Sequence, residues 1–466
     1  MFRQNLIKLT ILLLSIVFPV ISQVAPHQRG KAQATEAEAQ VYFDKGQTYF
    51  DAGQYKEAVE AYRQGLRLNP NNAHAYASLG HAYSKLGKPT EDLDATKRAL
   101  QIEPNHPYAN ARLCYAYSKL NQYEEAIKAC QQAIKYNPRS AESYANLGYA
   151  YDHLKRHTDA IEAFKRSIEV NPHNADTFNK LGWAYLQLGQ YDNAIKALKQ
   201  SIQLDPSYMT AYNNLGDAYL RLGQHAEAAD IFRQAIEVKP EEFWPHLNLG
   251  RTYFVLEQYK KATEELKEAI RIDPKFAQAY VGLAFAHVKT AKYEEAVEAF
   301  SRLIALKPQE ANAYRMRGYV YLYLAQGENA AIDAQRYVQL SGGGNKGDLY
   351  MILVAHFGYR QAGRDGDATR ILEEGLTKAN DKQWPYSVIR YLHREISAGD
   401  LLALATDGDK KTEAQAYIGT DLLLSGHHDE ARVYLQWVKD NGHKNLVEYV
   451  LALSQLKRLE KETEQR

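Results

Sequence analysis

Cysteine is nearly absent, with 2 residues in 466. So few thiols exclude a cysteine-rich zinc module and a disulfide-dense scaffold. An excess of charge of one sign is missing as well. Lys and Arg total 57 against 56 Asp and Glu, for a net charge of +1, and no run of Lys or Arg interrupts the mixed-sign pattern. That balance argues against nucleic acid as the partner. Long apolar runs are lacking beyond the N-terminus, where Leu9 to Ile21 follows Arg3 and Lys8. The run is short for a membrane span of about 20 residues and reads as a secretory signal peptide over residues 1–22. Val20-Ile21-Ser22 is the expected cleavage site and Ala32-Gln33-Ala34 a second candidate. A retained inner-membrane signal anchor is the alternative. No cysteine follows the run, so a lipidated N-terminus is not expected. Residues 23–38, rich in Gln, Ala and Glu, read as a linker.

Catalytic and cofactor motifs are equally scarce. Ser341-Gly342-Gly343-Gly344-Asn345-Lys346-Gly347 is glycine-rich but lacks the Gly-Lys-Ser/Thr ending of a phosphate loop and the strand before it. His427-His428-Asp429-Glu430 reads as a solvated turn, and His153 and His157, four residues apart, lack a third zinc ligand. No Ser or Cys sits in a nucleophile motif. The expectation is a protein without metal, cofactor or catalytic site.

What the chain does have is a period. Pro70, Pro104, Pro138, Pro172, Pro206, Pro240, Pro274 and Pro308 recur at an unbroken 34-residue interval. Within the unit ending at Pro240, Tyr212, Leu215, Gly216 and Tyr219 lie at helical spacing, as do Ala228, Phe232 and Ala235. Gly223 suits the left-handed turn between these two helices, and the proline ends the second. Small Gly216 and Ala228 let the helices approach, so each unit is a helical hairpin. Its apolar faces cannot both be buried alone, and neighbouring units must stack. Most of the 35 tyrosines fall on the aromatic positions of this pattern and read as core.

The period and the Tyr-x-x-Leu-Gly-x-x-Tyr pattern resemble the tetratricopeptide repeat family. The resemblance implies an all-α, right-handed superhelical solenoid that binds proteins on its concave surface. Nine repeats are expected over 39–340, then a flexible Gly-rich joint over 341–348. Degenerate hairpins over 349–466 end in a capping helix at Asn445 to Leu459. Repeat two is the irregular one, with Asp92 at a small-residue position and Pro89 in the inter-helix loop, so its second helix is expected to be weak. Cys114 and Cys130 share repeat three; they read either as two small buried residues or as a disulfide pinning that hairpin, which for so short a loop contributes about 3 kcal/mol.

The C-terminal run Trp384-Pro385, Tyr391-Leu392, Glu395-Ile396-Ser397, Glu413-Ala414, Tyr417-Ile418-Gly419, Gly426, Ala431, Asn445-Leu446-Val447-Glu448 and Ala452-Leu453 resembles the bacterial envelope lipoprotein family NlpI. Its members are adaptors that dock periplasmic proteases and peptidoglycan hydrolases. The resemblance implies the periplasmic compartment and an adaptor role; a periplasmic protease or peptidoglycan hydrolase is one class of protein or peptide partner, and a homodimer is one arrangement the array leaves open. The alternative is a structural subunit of an export, pilus or polysaccharide-secretion machine.

The face of each first helix turned away from its partner carries the second, fifth, sixth, ninth and thirteenth positions of the repeat. The ninth position reads Tyr115, Tyr149, Trp183, Asp217, Arg251, Phe285 and Tyr319, and the sixth supplies Asn146, Asn214 and Asn248. An aromatic stripe beside a ladder of amides is the expected site for an extended peptide, because rings supply area and amides pair with main-chain groups. The competing reading is that Tyr115, Tyr149 and Trp183 pack against the next repeat as core.

Overall fold

A computed structural model describes residues 26–342, 346–378 and 384–464, without the side chains of 26–34, 378 and 462–464. The signal-peptide expectation lies outside the described residues. Every regular element among them is helical. The chain divides into two compact units, Met1–Gly223 and Gln224–Arg466, each considered by itself.

The repeat turns sequence into hairpins in one recurring way. First helices such as Ala73–Lys85, Ala141–His153 and Ala175–Gln187 are capped by Asn72, Ser140 and Asn174, whose side chains accept from the backbone N–H three residues on. A short turn follows, and its central residue is left-handed in every repeat. Gly53, Gly87, Gly189 and Gly223 fill that slot, but so do Asn121, Lys155, Glu257, Ala291 and Ala325, with φ between 53° and 62°. The second helix then packs back antiparallel to the first.

The hairpin contact is a small residue facing a large one 16 residues later. A Cβ placed on Gly148 would lie 2.6 Å from the Phe164 ring, one on Gly182 2.5 Å from Leu198, and one on Gly250 2.7 Å from Leu266. Only glycine lets these helices approach so closely. In repeat three the same two positions are Cys114 and Cys130, and they are joined by a disulfide between fully buried residues. The bond replaces the packing contact of the other repeats.

Repeat two corrects the expectation of a weak helix. Pro89 is the first residue of the helix Pro89–Ile102, where its missing N–H costs nothing. Asp92 is buried and paired with the equally buried Arg112 of repeat three, while Thr96 donates to it at 3.1 Å. A carboxylate occupies the small-residue slot because the next repeat supplies a guanidinium.

In unit one each first helix packs on the first helix of the next repeat, and in unit two those of repeats seven and eight do so, whereas among the described residues no comparable packing joins consecutive second helices. The first helices therefore form the inner layer. Residues 26–38, expected as linker, are helical and extend the first helix of repeat one, Pro26–Asp51. The expected joint does not interrupt packing either. Gly342 caps the helix Gly327–Ser341 at φ 85°, and the helix Lys346–Gln361 returns against it so closely that a Cβ on Gly327 would meet the Gly358 carbonyl oxygen at 2.2 Å.

The rest of unit two is a helical cluster with carboxylates at its centre. Glu413 accepts from Trp384 Nε1 at 2.7 Å and from the Tyr350 hydroxyl at 2.9 Å. Asp421 accepts from Arg360 at 2.6 Å, Arg394 at 2.7 Å and the Tyr391 hydroxyl at 3.0 Å. Glu448 accepts from the Tyr417 hydroxyl at 2.7 Å. The final helix, Val447–Glu464, caps the cluster as expected and also reaches repeat nine, where Arg458 donates to the Tyr323 carbonyl at 2.8 Å. Burial, and then the Glu413 charge, push the Glu448 carboxyl up to about 7.

Three measurements follow from this packing. Ala291→Gly and Ala325→Gly relieve left-handed strain and are expected to stabilise by about 1 kcal/mol each in chemical denaturation; a loss would mean the turn is not strained. Asp92→Ala strands a buried guanidinium and is expected to cost about 3–5 kcal/mol, most of it restored when Arg112→Leu is added. A double variant as unstable as the single would overturn the pairing. Glu448 binds its proton more tightly folded than unfolded, so its contribution is complete below the ordinary value of 4.5 and is lost as pH rises towards 7. Unit two should lose about 2 to 3 kcal/mol between pH 5 and pH 8, and Glu448→Gln should flatten that slope; equal slopes would refute it.

Candidate functional site

The inner layer presents the ninth position of each first helix, but the predicted residues do not share one environment. In unit one, Tyr115 is half-buried, with the Arg112 guanidinium 4.7 Å and the Lys119 ammonium 5.3 Å from its ring centre. Tyr149 is half-buried, edge-on to His153 at 4.4 Å and 5.3 Å from the Lys180 ammonium on the next first helix. Burial, then the neighbouring Tyr123, raise its hydroxyl above the ordinary value. Trp183 is 40% exposed. These three lie on consecutive first helices that pack on one another, and their rings combine apolar area with flanking cations.

The amides do not form the expected ladder. Asn214 Nδ2 donates sideways to Asn179 Oδ1 at 2.9 Å, so it is already spent on the neighbouring repeat. Asn146 Nδ2 is buried with no hydrogen-bond partner. Asn248 is half-buried in unit two. Only Asn146 has a donor that a ligand would satisfy, because identical residues at one register meet different neighbours.

In unit two the stripe changes character. Arg251 is exposed. Phe285 is half-buried and edge-on to Phe300 at 5.8 Å, at the wall of a cavity of about 230 Å³ between the first helices of repeats eight and nine. Val281, Leu303 and Met316 supply its apolar lining and Arg315 its cation. Tyr319, expected on the open face, is 4% exposed. The final helix packs on its helix and brings Glu448 beside it, so Tyr319 belongs to the core of unit two.

Reading the ninth position alone missed two residues that second and fifth positions reveal. Trp244, at the second position of repeat seven, is 45% exposed and edge-on to Phe276 at 5.4 Å. Arg315, at the fifth position of repeat nine, has a buried Nε with no partner. Both stand at inward positions of the repeat, a signal the sequence already carried. Among the described residues no group of three or more His, Cys, Asp or Glu side chains is arranged to hold a metal ion.

Models of the TPR repeat match residues 46–87, and models of the tetratricopeptide repeat match 73–106, 113–175 and 283–345. The model of the cilia and flagella-associated protein 70 C-terminal domain matches 174–313. The resemblance of residues 384–453 to NlpI rests on its residues alone. No curated protein matches the chain significantly. Among solved structures, that of MamA is 28% identical over 36% of this chain and 92% of its own, with a TM-score of 0.33. YrrB, described as a TPR protein with an unusual peptide-binding site, is 24% identical over 40% and 96%, with a TM-score of 0.36. PilF of Pseudomonas aeruginosa is 19% identical over 48% and 99%, with a TM-score of 0.41. The unbroken 34-residue period, the hairpins it builds and the family matches along it make this chain a tetratricopeptide repeat protein.

Proposed function

We propose that this chain is a non-enzymatic scaffold of the bacterial cell envelope that holds extended segments of partner proteins along the inner layer of its first helices. Tetratricopeptide repeats are protein-interaction modules, and the inner layer of unit one has the surface such a role needs. The observation that carries the reading is the run of Tyr115, Tyr149 and Trp183 at one register on the first helices of three consecutive repeats, beside the unpartnered amide of Asn146. Rings that keep part of their faces open offer contact area at low entropic cost. An amide donor buried without a partner is paid back by a peptide carbonyl.

The envelope setting is supported by the N-terminal apolar run and by the NlpI resemblance. The disulfide is in keeping with an oxidising compartment. Periplasmic proteases and cell-wall hydrolases are the class of partner this setting implies.

The test is affinity capture from envelope extract, with the mature chain and its Tyr115→Ala, Tyr149→Ala, Trp183→Ala triple variant as baits. Capture should fall by at least about tenfold in the triple variant, since buried aromatic anchors contribute about 1–2 kcal/mol each. Its thermal midpoint should stay within a few degrees of the parent. Undiminished capture of the same proteins would remove this surface from the function, and a large loss of helicity would place the rings in the core.

A further inference from the structure

The first helices of repeats seven, eight and nine, Phe243–Val255, Ala277–Lys289 and Ala311–Tyr323, contain not one Asp or Glu. They contain Arg251, Lys289, Arg315 and Arg317, with His246 and His287. Two of these are already matched from the second helices. Arg317 grips Asp333 with bonds of 2.7 and 2.8 Å, and His246 pairs with Glu265 at 2.7 Å. His287 is buried. Arg251, Lys289 and Arg315 have no carboxylate within 4.0 Å among the described residues.

Unit one is mixed. The first helices of repeats two and three, Ala73–Lys85 and Pro107–Lys119, also lack Asp and Glu, but those of repeats five and six pair acid with base: Lys180 with Asp176 at 2.7 Å, Arg221 with Asp217 at 2.8 Å. Three successive first helices without an acid occur in unit two, against two in unit one. Within the run of three the cavity beside Phe285 opens between the first helices of repeats eight and nine. Lys307 and Glu310 also line the cavity wall, one charge of each sign, beside the guanidinium of Arg315. Its Nε is buried without an acceptor, an arrangement that costs free energy until an acceptor arrives.

We propose that the inner layer of repeats seven to nine binds an acidic peptide segment of a partner protein, with a carboxylate on Arg315 and an adjacent aliphatic side chain in the cavity beside Phe285. The inference rests on the scaffold reading and adds the chemistry of what unit two holds. An extended chain places alternate side chains on opposite sides, so a segment of acidic and aliphatic residues can direct one kind to the cations and the other to the cavity. Arg251 and Lys289 lie on the neighbouring first helices and extend the positive surface along the segment. Attraction of this kind weakens with salt, because exposed charges are screened within about 8 Å at physiological ionic strength.

Fluorescence anisotropy of a labelled dodecapeptide of alternating Glu and Leu, titrated with the full chain, tests this directly against Lys-Leu and Ser-Leu counterparts. The acidic peptide should bind at least tenfold more tightly than either, and several-fold more weakly at 500 mM than at 50 mM salt. The Arg251→Glu, Lys289→Glu, Arg315→Glu variant should reverse the order in favour of the Lys peptide. Arg315→Gln, which removes the charge and leaves a shorter side chain with two donors, should weaken the acidic peptide alone, and circular dichroism establishes that both variants are folded. Equal binding of the three peptides, or acidic binding that survives charge reversal, overturns the inference. If the acidic peptide fails while envelope capture succeeds, the inference falls and the scaffold reading stands; if both fail, both fall.

Discussion

Everything in this protein depends on one contact, a small residue on the first helix facing a large one 16 positions later on the second. Gly148 under Phe164, Gly182 under Leu198 and Gly250 under Leu266 set the spacing within the hairpins, and Gly419 under Leu435 repeats it in the C-terminal cluster. Close approach inside each hairpin is what turns a 34-residue period into a unit of constant shape, and constant shape is what allows units to stack. The exceptions respect the same slot. Repeat three fills it with the Cys114–Cys130 bond, and in repeat two Thr96 and Asp92, the latter held by Arg112 from the next repeat, lie over Gly80.

That contact also decides where function can reside. With the large residues of both helices committed to the hairpin and to the neighbouring repeat, only the inward positions of the first helices are free to vary. They vary by unit. The inner layer of unit one is aromatic and pairs acid with base in repeats five and six, while that of repeats seven to nine carries bases and apolar residues without an acid. Two surfaces of different chemistry on one repeated scaffold suit the recognition of more than one kind of segment, since the fold sets the spacing and the side chains set the preference.

The C-terminal motif has a structural explanation. Trp384, Tyr391, Glu413, Tyr417 and Glu448 are members of hydrogen-bonded pairs in the core of unit two. Buried carboxylates are tolerated there because tyrosine hydroxyls, an indole N–H and two guanidiniums converge on them. The cluster that ends the array also buries Tyr319 and so sets the limit of the open face.

The sequence by itself determined the hairpins, their number, the class of fold and the register of the inward face, because a 34-residue period is written in local turn chemistry and small residues that need no distant partner. It also placed the two cysteines in one hairpin. It did not determine which inward residues stay open. Tyr115, Tyr149, Trp183 and Tyr319 stand at one register, yet only Tyr319 is covered, by a helix more than a hundred residues further on. Asn146 and Asn214 are likewise equivalent in the pattern, and differ because one meets Asn179 and the other meets nothing. The buried Asp92, read as a defect, is matched by a guanidinium 20 residues away. Such outcomes depend on what a neighbouring repeat or a returning chain brings within hydrogen-bond distance, and only the tertiary structure decides that.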